Sequence, residues 1–472
     1  MSGSPSSADA GLSPRLVASV VSAGIMSFSG VVVETAMNVT FPTLMAEFGV
    51  DTATVQWITT GYLLVLSLMI PASSYLNRRF RLRSLFIVAV GLFFVGTLMA
   101  ALSPSFAVLL AGRLVQGVGT GLALPMMFNI ILSQVPERHR GVMMGVGMLI
   151  TGVAPALGPS LGGLLVSYLS WRAVFWVLMP LLACAFVMGV TTIRQVGEPI
   201  PCAFDVAGFL MLAVGFAAFI FAANAASSAG WLSIQVVGLF ALSVVAVAIF
   251  CRHSLTAPEP LLSVGVFHSP VFALGIAGML MLQLICLGVG FVIPNYAQLS
   301  MGTDAFTSGL LLVPGCLLGA VLAPVSGKVL DRVGALPPML VGSVAALVSM
   351  ALFAVFTRSL TVPAIIGLYM AYTFAQGNYL GTDMTNSIAH LDPAQAPDGN
   401  AIFNTVQQLA GAIGTALAST VVAAAQAGTA DMAAGTAAGA QDAFIMTTAF
   451  AIVLVACTLA IARLTPRGST PR

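Results

Sequence analysis

The chain has 472 residues, of which 59% are hydrophobic and only 7% carry a charge, and its formal net charge at pH 7 is +2. This composition excludes a soluble domain of that length, and no basic cluster with interleaved aromatic residues points to a nucleic-acid partner. Long apolar stretches recur from Leu16 to Ala462, and a spanning helix needs about 20 such residues. We therefore expect an all-α membrane protein with membrane lipids as partners.

Fourteen apolar stretches predict fourteen spanning helices, two blocks of six separated by a pair. In chain order we expect them at about 16–41, 54–75, 83–102, 106–131, 141–166, 172–193, 205–224, 231–251, 270–297, 306–327, 336–356, 361–389, 400–425 and 442–463. Because fourteen is an even number, both ends of the chain should lie on the same side of the membrane.

Most arginine and lysine residues fall in loops on the N-terminal side of this topology. Those loops contain Arg15, Arg78, Arg79, Arg81, Arg83, Arg138, Arg140, Arg194, Arg252, Lys328, Arg332, Arg463, Arg467 and Arg472. The opposite loops contain only Arg172 and Arg358. Since cytoplasmic loops carry the excess of positive charge, we predict that both termini are cytoplasmic. The loop after the twelfth helix is an exception, because it has no lysine or arginine.

A short repeat supports the two blocks. Residues 74–81 follow the second helix and residues 327–334 follow the tenth, and both segments are basic. Parallel repeats are typical of secondary transporters, although two unrelated basic turns would look similar. The predicted division is a tail at 1–15, a six-helix half at 16–195, two linker helices at 196–255, a second half at 256–464 and a tail at 465–472.

Two charged residues, Glu34 and Arg113, fall inside predicted spans. A charge in the hydrocarbon is costly and normally faces a partner or a wet cavity. The predicted boundaries place Glu34 roughly 12 Å and Arg113 roughly 10 Å from the outer ends of their helices. We expect them to face one cavity and to couple proton binding to helix movement. A purely structural ion pair is the alternative.

Asp383 is a third charged candidate, in the inner part of the twelfth predicted helix. It could bind a second proton or contact a cationic substrate. The alternative is that the helix ends early and that Asp383 lies among the lipid headgroups.

Amide, aromatic and methionine side chains within the spans are candidates for a substrate cavity, since methionine and aromatic residues adapt to many apolar shapes. These candidates are Met26, Asn38, Tyr62, Met126, Asn129, Met148, Gln283, Asn295, Tyr372, Gln376, Asn404 and Gln407. For any single methionine or aromatic residue, packing in the core or against lipid is the simpler interpretation.

Metal-binding and catalytic groups are scarce. The six cysteines stand singly and the four histidines lie far apart, so no spacing predicts a metal site. No GxxxxGK[ST] loop occurs, which argues against ATP as the energy source. We expect no metal, no cofactor and no enzymatic activity, with a membrane-embedded enzyme as the disfavoured alternative.

Short motifs occur in a fixed order on the predicted helices. They are Glu34-Thr-x-x-Asn38 on helix 1, Leu110-x-x-Arg113-x-x-Gln116-Gly117-x-Gly119 on helix 4, Pro155-x-x-Gly158-Pro159-x-x-Gly162-Gly163 on helix 5, Phe204-Asp205-x-x-Gly208 at helix 7, and Gly327-x-x-x-Asp331-Arg332-x-Gly334 after helix 10. In this combination the chain resembles the major facilitator superfamily, and more narrowly its fourteen-helix drug:proton antiporters. The first loop copy departs from the pattern, because Ser74, Arg78 and Arg81 stand where glycine, aspartate and glycine are usual.

The resemblance implies two halves that rock around a central cavity. It implies that Glu34 is a proton-coupling acid with Arg113 as its helper, that the helix 5 motif seals the two halves, and that Gly327 to Gly334 form a cytoplasmic gating loop. The expected function is proton-coupled export of amphipathic drugs or toxic compounds by a monomer in a bacterial inner membrane. An antiporter dedicated to one endogenous metabolite or lipid precursor and a non-transporting sensor are the alternatives.

Overall fold

The structure is a computed structural model that describes residues 13–50, 52–195, 203–303 and 305–465. Within them the chain is all-α, as the sequence predicts. The α-helices are α1 (Pro14–Val39), α2 (Phe41–Phe48), α3 (Thr52–Arg79), α4 (Leu82–Ala101), α5 (Phe106–Gln134), α6 (Glu137–Tyr168), α7 (Ala173–Thr192), α8 (Val206–Ala229), α9 (Ile234–Thr256), α10 (Pro270–Leu299), α11 (Ala305–Leu310), α12 (Val313–Val333), α13 (Leu336–Phe356), α14 (Val362–Ala389), α15 (Ala396–Ala427) and α16 (Met432–Leu464).

All of these helices except α2 and α11 have 20 or more residues. In the described part of the chain, 12 helices are long and apolar enough to span a membrane. The long helices α6 and α14 are not among them, so a count of fourteen spans stays a prediction. Helix α14 is less apolar because it contains the amides Gln376, Asn378 and Asn386 and the acid Asp383.

Local sequence explains where many helices begin and end. The hydroxyls of Ser13, Ser105 and Ser269 accept hydrogen bonds from the first turns of α1, α5 and α10, and this capping satisfies N–H groups that have no partner within the helix. Gly49 ends α2 with φ 64°, and Gly334 ends α12 with φ 88°, a backbone conformation that glycine adopts without a steric penalty.

The tenth predicted helix is displaced in the structure. Residues 305–310 form the separate short helix α11, and α12 continues to Val333 rather than stopping near residue 327. The prediction of a gating loop is therefore wrong in conformation, because Gly327, Asp331 and Arg332 lie in the last turns of a helix. The apolar residues of a sequence show which part of a helix lies in lipid. Helix α12 continues beyond its apolar part and ends only at Gly334.

The long helices pack in two groups. Helices α1 and α3–α7 contact one another and are called here the N-terminal bundle, while α10 and α12–α16 form the C-terminal bundle. The bundles meet mainly where α6 packs on α12 and α3 packs on α15. Helices α8 and α9 pack mostly on each other, and α8 also contacts α3 and α15. The exact domain boundaries expected from the sequence stay predictions.

The first turn of α1 and the last turn of α7 lie at one end of the molecule, which we call the terminal face. At this face the Arg15 guanidinium donates a hydrogen bond of 2.8 Å to the Thr191 carbonyl at the end of α7. The start of α15 likewise lies beside the end of α3. The other end of the molecule is called the opposite face.

At the opposite face, the N-terminal bundle is fastened by Glu47 of α2. Its carboxylate accepts hydrogen bonds from the Trp171 indole N–H at 2.6 Å and from Arg172 at 2.8 Å. Arg172 also donates to the Ser103 carbonyl at 2.9 Å. The bond from Trp171, with the hydrogen bond and charge of Arg172, holds the pKa of Glu47 below its ordinary value against the opposing effect of partial burial.

Candidate functional site

Glu34 of α1 and Arg113 of α5 lie at similar depths beneath the opposite face. Glu34 is five residues before the end of α1 and Arg113 is seven residues after the start of α5, which corresponds to about 8 Å and about 10 Å of helix. Their charges interact, although no ion pair within 4.0 Å joins them. The structure thus brings together the two residues that the sequence singles out.

The Arg113 side chain is completely buried and has one free donor. Its Nε donates to the Ile58 carbonyl at 3.3 Å, and its Nη1 donates to Gln116 Oε1 at 2.8 Å. Its Nη2 has no hydrogen-bond partner among the described atoms. The guanidinium carbon lies 4.1 Å from the centroid of the Tyr62 ring, where the electron-rich face attracts a cation.

Neighbouring helices hold this arginine in place. Gln116 donates from Nε2 to Thr97 Oγ1 of α4 at 2.8 Å. The Tyr62 hydroxyl of α3 lies 3.0 Å from the Gly30 carbonyl of α1 and 2.9 Å from Thr120 Oγ1 of α5. The guanidinium is therefore oriented by four helices of the N-terminal bundle. Its Nη2 can still donate a hydrogen bond to another acceptor.

The Glu34 carboxylate is the least constrained member of this cluster. Its side chain is partly exposed, and Arg113 is the only charged group among the described residues that acts on it. The distance between its carboxyl group and Arg113 affects the balance between the neutral acid and the carboxylate. The arrangement can therefore bind and release a proton.

Asp383 lies in the C-terminal bundle, six residues before the end of α14. The alternative of an early helix end is wrong, since α14 continues to Ala389. The side chain of Asp383 is fully buried. Its Oδ1 accepts a hydrogen bond of 3.2 Å from Ser387, and its Oδ2 has no partner among the described residues. This acid is far from the Glu34 cluster, near the other end of the molecule.

Three of the predicted cavity residues meet between α10 and α14. Tyr372 donates to the Leu282 carbonyl at 3.2 Å, and Gln376 donates to Cys286 Sγ at 3.2 Å. Gln283 is 8% exposed, and its Oε1 has no hydrogen-bond partner among the described residues. A buried amide oxygen without a partner is costly, so this part of the C-terminal bundle is suited to a ligand with a hydrogen-bond donor.

Two other predicted cavity residues serve contacts between the bundles. The Asn400 side chain donates to Asn129 Oδ1 at 2.6 Å and to the Pro125 carbonyl at 2.9 Å. The Asn404 amide donates to Asn400 Oδ1 at 2.9 Å. These amides join α5 to α15 rather than standing free, so their assignment to a cavity wall stays a prediction.

The remaining cavity candidates are dispersed. Met26, Met126 and Met148 are buried, Asn295 donates to the Phe291 carbonyl of its own helix at 2.9 Å, and Gln407 is partly exposed. Asn38 lies in α1, but its side chain is outside the described residues. A cavity lined by the full predicted set stays a prediction.

The glycines of the helix 5 motif pack within the N-terminal bundle. A Cβ atom at Gly158 would lie 1.8 Å from Thr35 Oγ1, and one at Gly162 would lie 2.8 Å from the Ala36 carbonyl oxygen. Both neighbours belong to α1. Gly163 is looser, with Val39 at 3.8 Å, and Pro155 is partly exposed. The Pro159 side chain is outside the described residues.

Earlier glycines of the same helix make the contact between the bundles. A Cβ atom at Gly145 would lie 2.3 Å from the Ala323 carbonyl of α12, and one at Gly327 would lie 2.0 Å from the Gly141 carbonyl of α6. Asp331 accepts hydrogen bonds from the N–H groups of Gly141 at 2.8 Å and of Val142 at 3.1 Å. Arg332 is exposed. Asp331 thus fastens α12 to α6 at the terminal face.

A second fastening at the terminal face was missed by the sequence interpretation. Asp398 at the start of α15 is 2% exposed, hydrogen-bonds to the Ser74 hydroxyl of α3, accepts from the Ser263 N–H at 3.1 Å and lies 3.8 Å from Arg78. One signal for it was present, because Asp398 lies just after the loop that has no lysine or arginine.

Comparisons with known proteins identify relatives over most of the chain. The sequence profile of the Major Facilitator Superfamily matches residues 23–415. The lincomycin resistance protein LmrB of Listeria monocytogenes is 35% identical over 455 residues, which cover 94% of this chain and 96% of that protein. LmrB of Bacillus subtilis is 35% identical over 409 residues, covering 86% and 85%. The multidrug resistance protein B homolog of Mycobacterium tuberculosis is 30% identical over 396 residues, covering 82% and 73%.

A solved structure supports the same fold. The human organic anion transporter MFSD10 (TETRAN) superposes with a TM-score of 0.65 at 15% identity, covering 95% of this chain and 100% of the other. At this identity the likeness concerns the arrangement of the helices and not the transported compound.

Proposed function

Because this chain belongs to the major facilitator superfamily, we propose that it is a proton-coupled exporter of amphipathic drugs or other toxic compounds. The chain is a multi-pass integral membrane protein of a transporter family, and its relatives include proteins named for lincomycin and multidrug resistance. We propose in addition that transport is coupled to protons, that the substrates are drugs, and that Glu34 and Arg113 take part in the transport cycle.

The observation that supports coupling is the Glu34 and Arg113 pair in the N-terminal bundle. The Arg113 charge is fixed by Gln116 and Tyr62, whereas Arg113 is the only charged group that acts on Glu34 among the described residues. A small helix movement therefore changes the distance between the two charges. When Arg113 approaches, Glu34 releases its proton, and when Arg113 withdraws or binds another group, Glu34 takes one up.

The proposed cycle places the drug between the two bundles. A proton enters from the opposite face, where Glu34 lies about 8 Å beneath the end of α1. Binding of a drug near Arg113 or near the amides of α10 and α14 then changes which face is open. In this proposal the terminal face is cytoplasmic, the membrane is the bacterial plasma membrane, lipids surround the bundles, and one chain forms the working unit.

The test is drug-driven proton movement in proteoliposomes, with lincomycin and the fluorescent cation ethidium as the trial compounds. We expect the wild-type protein to exchange at least one of them for protons, and Glu34→Gln to bind it without moving protons. The matched control is Glu137→Gln, which removes an exposed carboxylate at the start of α6. Proton movement by Glu34→Gln at the wild-type rate would disprove the coupling role.

A further inference from the structure

Asp383 is a buried acid that the Glu34 and Arg113 cluster does not use. It lies in α14 about 9 Å from the end of that helix at the terminal face. Its side chain is 0% exposed, and Oδ2 is buried without a hydrogen-bond partner among the described residues. The single bond from Ser387 supplies Oδ1 alone.

The helices around Asp383 bring no positive charge to it. A Cβ atom at Gly275 of α10 would lie 2.8 Å from Asp383 Oδ1, and α10 has no charged residue along its length. Helix α13, which packs closely on α14, also has none. Helix α16 has only Asp442 and Arg463, near its two ends. Lys328 and Arg332 of α12 are exposed. Helix α6 also packs on α14, and its basic residues, Arg138, His139 and Arg140, lie in its first turn.

The titratable groups that do face Asp383 cannot compensate a negative charge. They are Tyr379, one turn earlier on α14, and Cys457 of α16. The Tyr379 hydroxyl is itself buried without a hydrogen-bond partner in the described structure. A fully buried carboxylate with no cation and one hydrogen bond is strongly disfavoured compared with the neutral acid.

We propose that Asp383 is a second proton-binding site, protonated while the terminal face is closed and emptied when that face opens. This proposal rests on the proposed exporter function. Each transport cycle then moves one proton more than Glu34 alone carries. The structure gives the route for release. Gly381, two residues earlier on α14, packs against Met148 of α6, since a Cβ atom there would lie 3.2 Å from Met148 Cγ. Separation of the bundles at this contact admits water to the inner third of α14.

The two acids differ in a way that suits different steps. Glu34 has a cation nearby and lies beneath the opposite face, whereas Asp383 has no cation and lies beneath the terminal face. Proton loss from Glu34 follows from the approach of Arg113. Proton loss from Asp383 requires water, because only hydration can stabilise its carboxylate.

The decisive experiment is infrared spectroscopy of the full chain in lipid nanodiscs at neutral pH, in a Glu34→Gln background. The C=O stretch of a protonated carboxyl group, which shifts in heavy water, should be present and should disappear on Asp383→Asn. Asp442→Asn removes an exposed acid of α16 and should leave the band unchanged. Asp383→Glu should shift the band rather than abolish it, which separates a lost proton site from a misfolded variant. A band unaffected by Asp383→Asn overturns the proposal.

The second experiment counts protons exchanged per ethidium in proteoliposomes. Asp383→Asn should move one proton fewer per ethidium than the wild type, whereas Asp442→Asn should match the wild type. An unchanged count also overturns the proposal. The infrared experiment needs no transported compound, so failure of the exporter function and failure of the Asp383 site are distinguishable.

Discussion

Arg78 in the last turn of α3 lies 3.8 Å from Asp398 in the first turn of α15, and the pair bridges the two bundles at the terminal face. Arg78 stands where the resembled family usually has an aspartate. Asp398 also binds the Ser74 hydroxyl of α3. One carboxylate of the C-terminal bundle therefore contacts the end of α3 at two residues.

The first prediction concerns this contact between the bundles. Asp398→Ala removes the acceptor for Ser74 and for the Ser263 N–H and the charge beside Arg78. Leaving the fully buried Ser74 hydroxyl unpaired costs about 1–3 kcal/mol. We expect the terminal face to open more often. The measurement is the rate at which a maleimide labels a cysteine placed at the buried Met144 position, in a variant without native cysteines.

The matched control for this experiment is Asp392→Ala, which removes an exposed acid from the same face. Its labelling rate should equal that of the parent protein. Equal labelling of Asp398→Ala and the parent would show that the contact does not hold the face closed.

The second prediction concerns the glycines of α6. Gly145→Ala would bring a Cβ atom within 2.3 Å of the Ala323 carbonyl, a backbone atom that cannot move aside, whereas Gly152 has no atom within 4 Å. Gly145→Ala should therefore force α6 and α12 apart and reduce transport at least tenfold, and Gly152→Ala should transport normally. Drug efflux at matched expression levels is the measurement, and equal efflux by the two variants would contradict the close packing.

Apolar stretches and charged loops predict most of the fold, because lipid requires continuous apolar helices and positive charges mark their ends. Helix α13 is found at 336–356 as expected. Helix α12 was placed too early, since its last turns contain Lys328 and Asp331, and an apolar count stops at such residues. Hydrophobicity alone does not show that a helix continues beyond the lipid.

The candidate site is only partly predictable for a related reason. Glu34 and Arg113 stand out because single charges in apolar helices are rare. Asp398 does not stand out, because acids at helix starts are common. Asn129 and Asn404 are predicted to line a cavity, and the structure adds that both bind Asn400. Composition identifies buried polar residues, but only the packing of helices determines which of them face each other.

The third prediction separates two roles of Tyr62. Tyr62→Phe keeps the ring beneath Arg113 and removes the hydroxyl that contacts Gly30 and Thr120. We expect stability to fall by about 1 kcal/mol with transport retained within a few-fold. Tyr62→Leu also removes the cation–π contact and should lose transport. Equal transport by both variants, measured as proton-coupled efflux, would rule out a role for the ring.

The fourth prediction concerns pH and the start of α8. Asp205 accepts hydrogen bonds from the Gly208 N–H at 2.8 Å, from the His253 ring at 2.9 Å and from the Leu261 N–H at 3.2 Å. Burial opposes its charge, but these bonds and the charge of His253 outweigh burial and lower the pKa of Asp205 below 3.8. The stabilisation is therefore complete above that ordinary value and is lost as pH falls through the lowered pKa.

We accordingly expect Asp205→Asn to unfold at a lower temperature than the wild type at pH 7, and to approach the wild type only in strong acid. Thermal unfolding followed across this pH range is the measurement. Asp431→Asn, at the start of α16, is the comparison for a helix cap without a histidine partner. A difference between Asp205→Asn and the wild type that persisted unchanged in strong acid would contradict the assignment.

The polar character of α14 has a consequence for biosynthesis. With Gln376, Asn378 and Asp383 in its sequence, α14 gains little from entering lipid by itself, whereas α13 beside it is strongly apolar. We therefore expect α14 to enter the bilayer packed against α13 and not as an independent segment. A chain truncated after α14 but lacking α13 should leave α14 outside the bilayer.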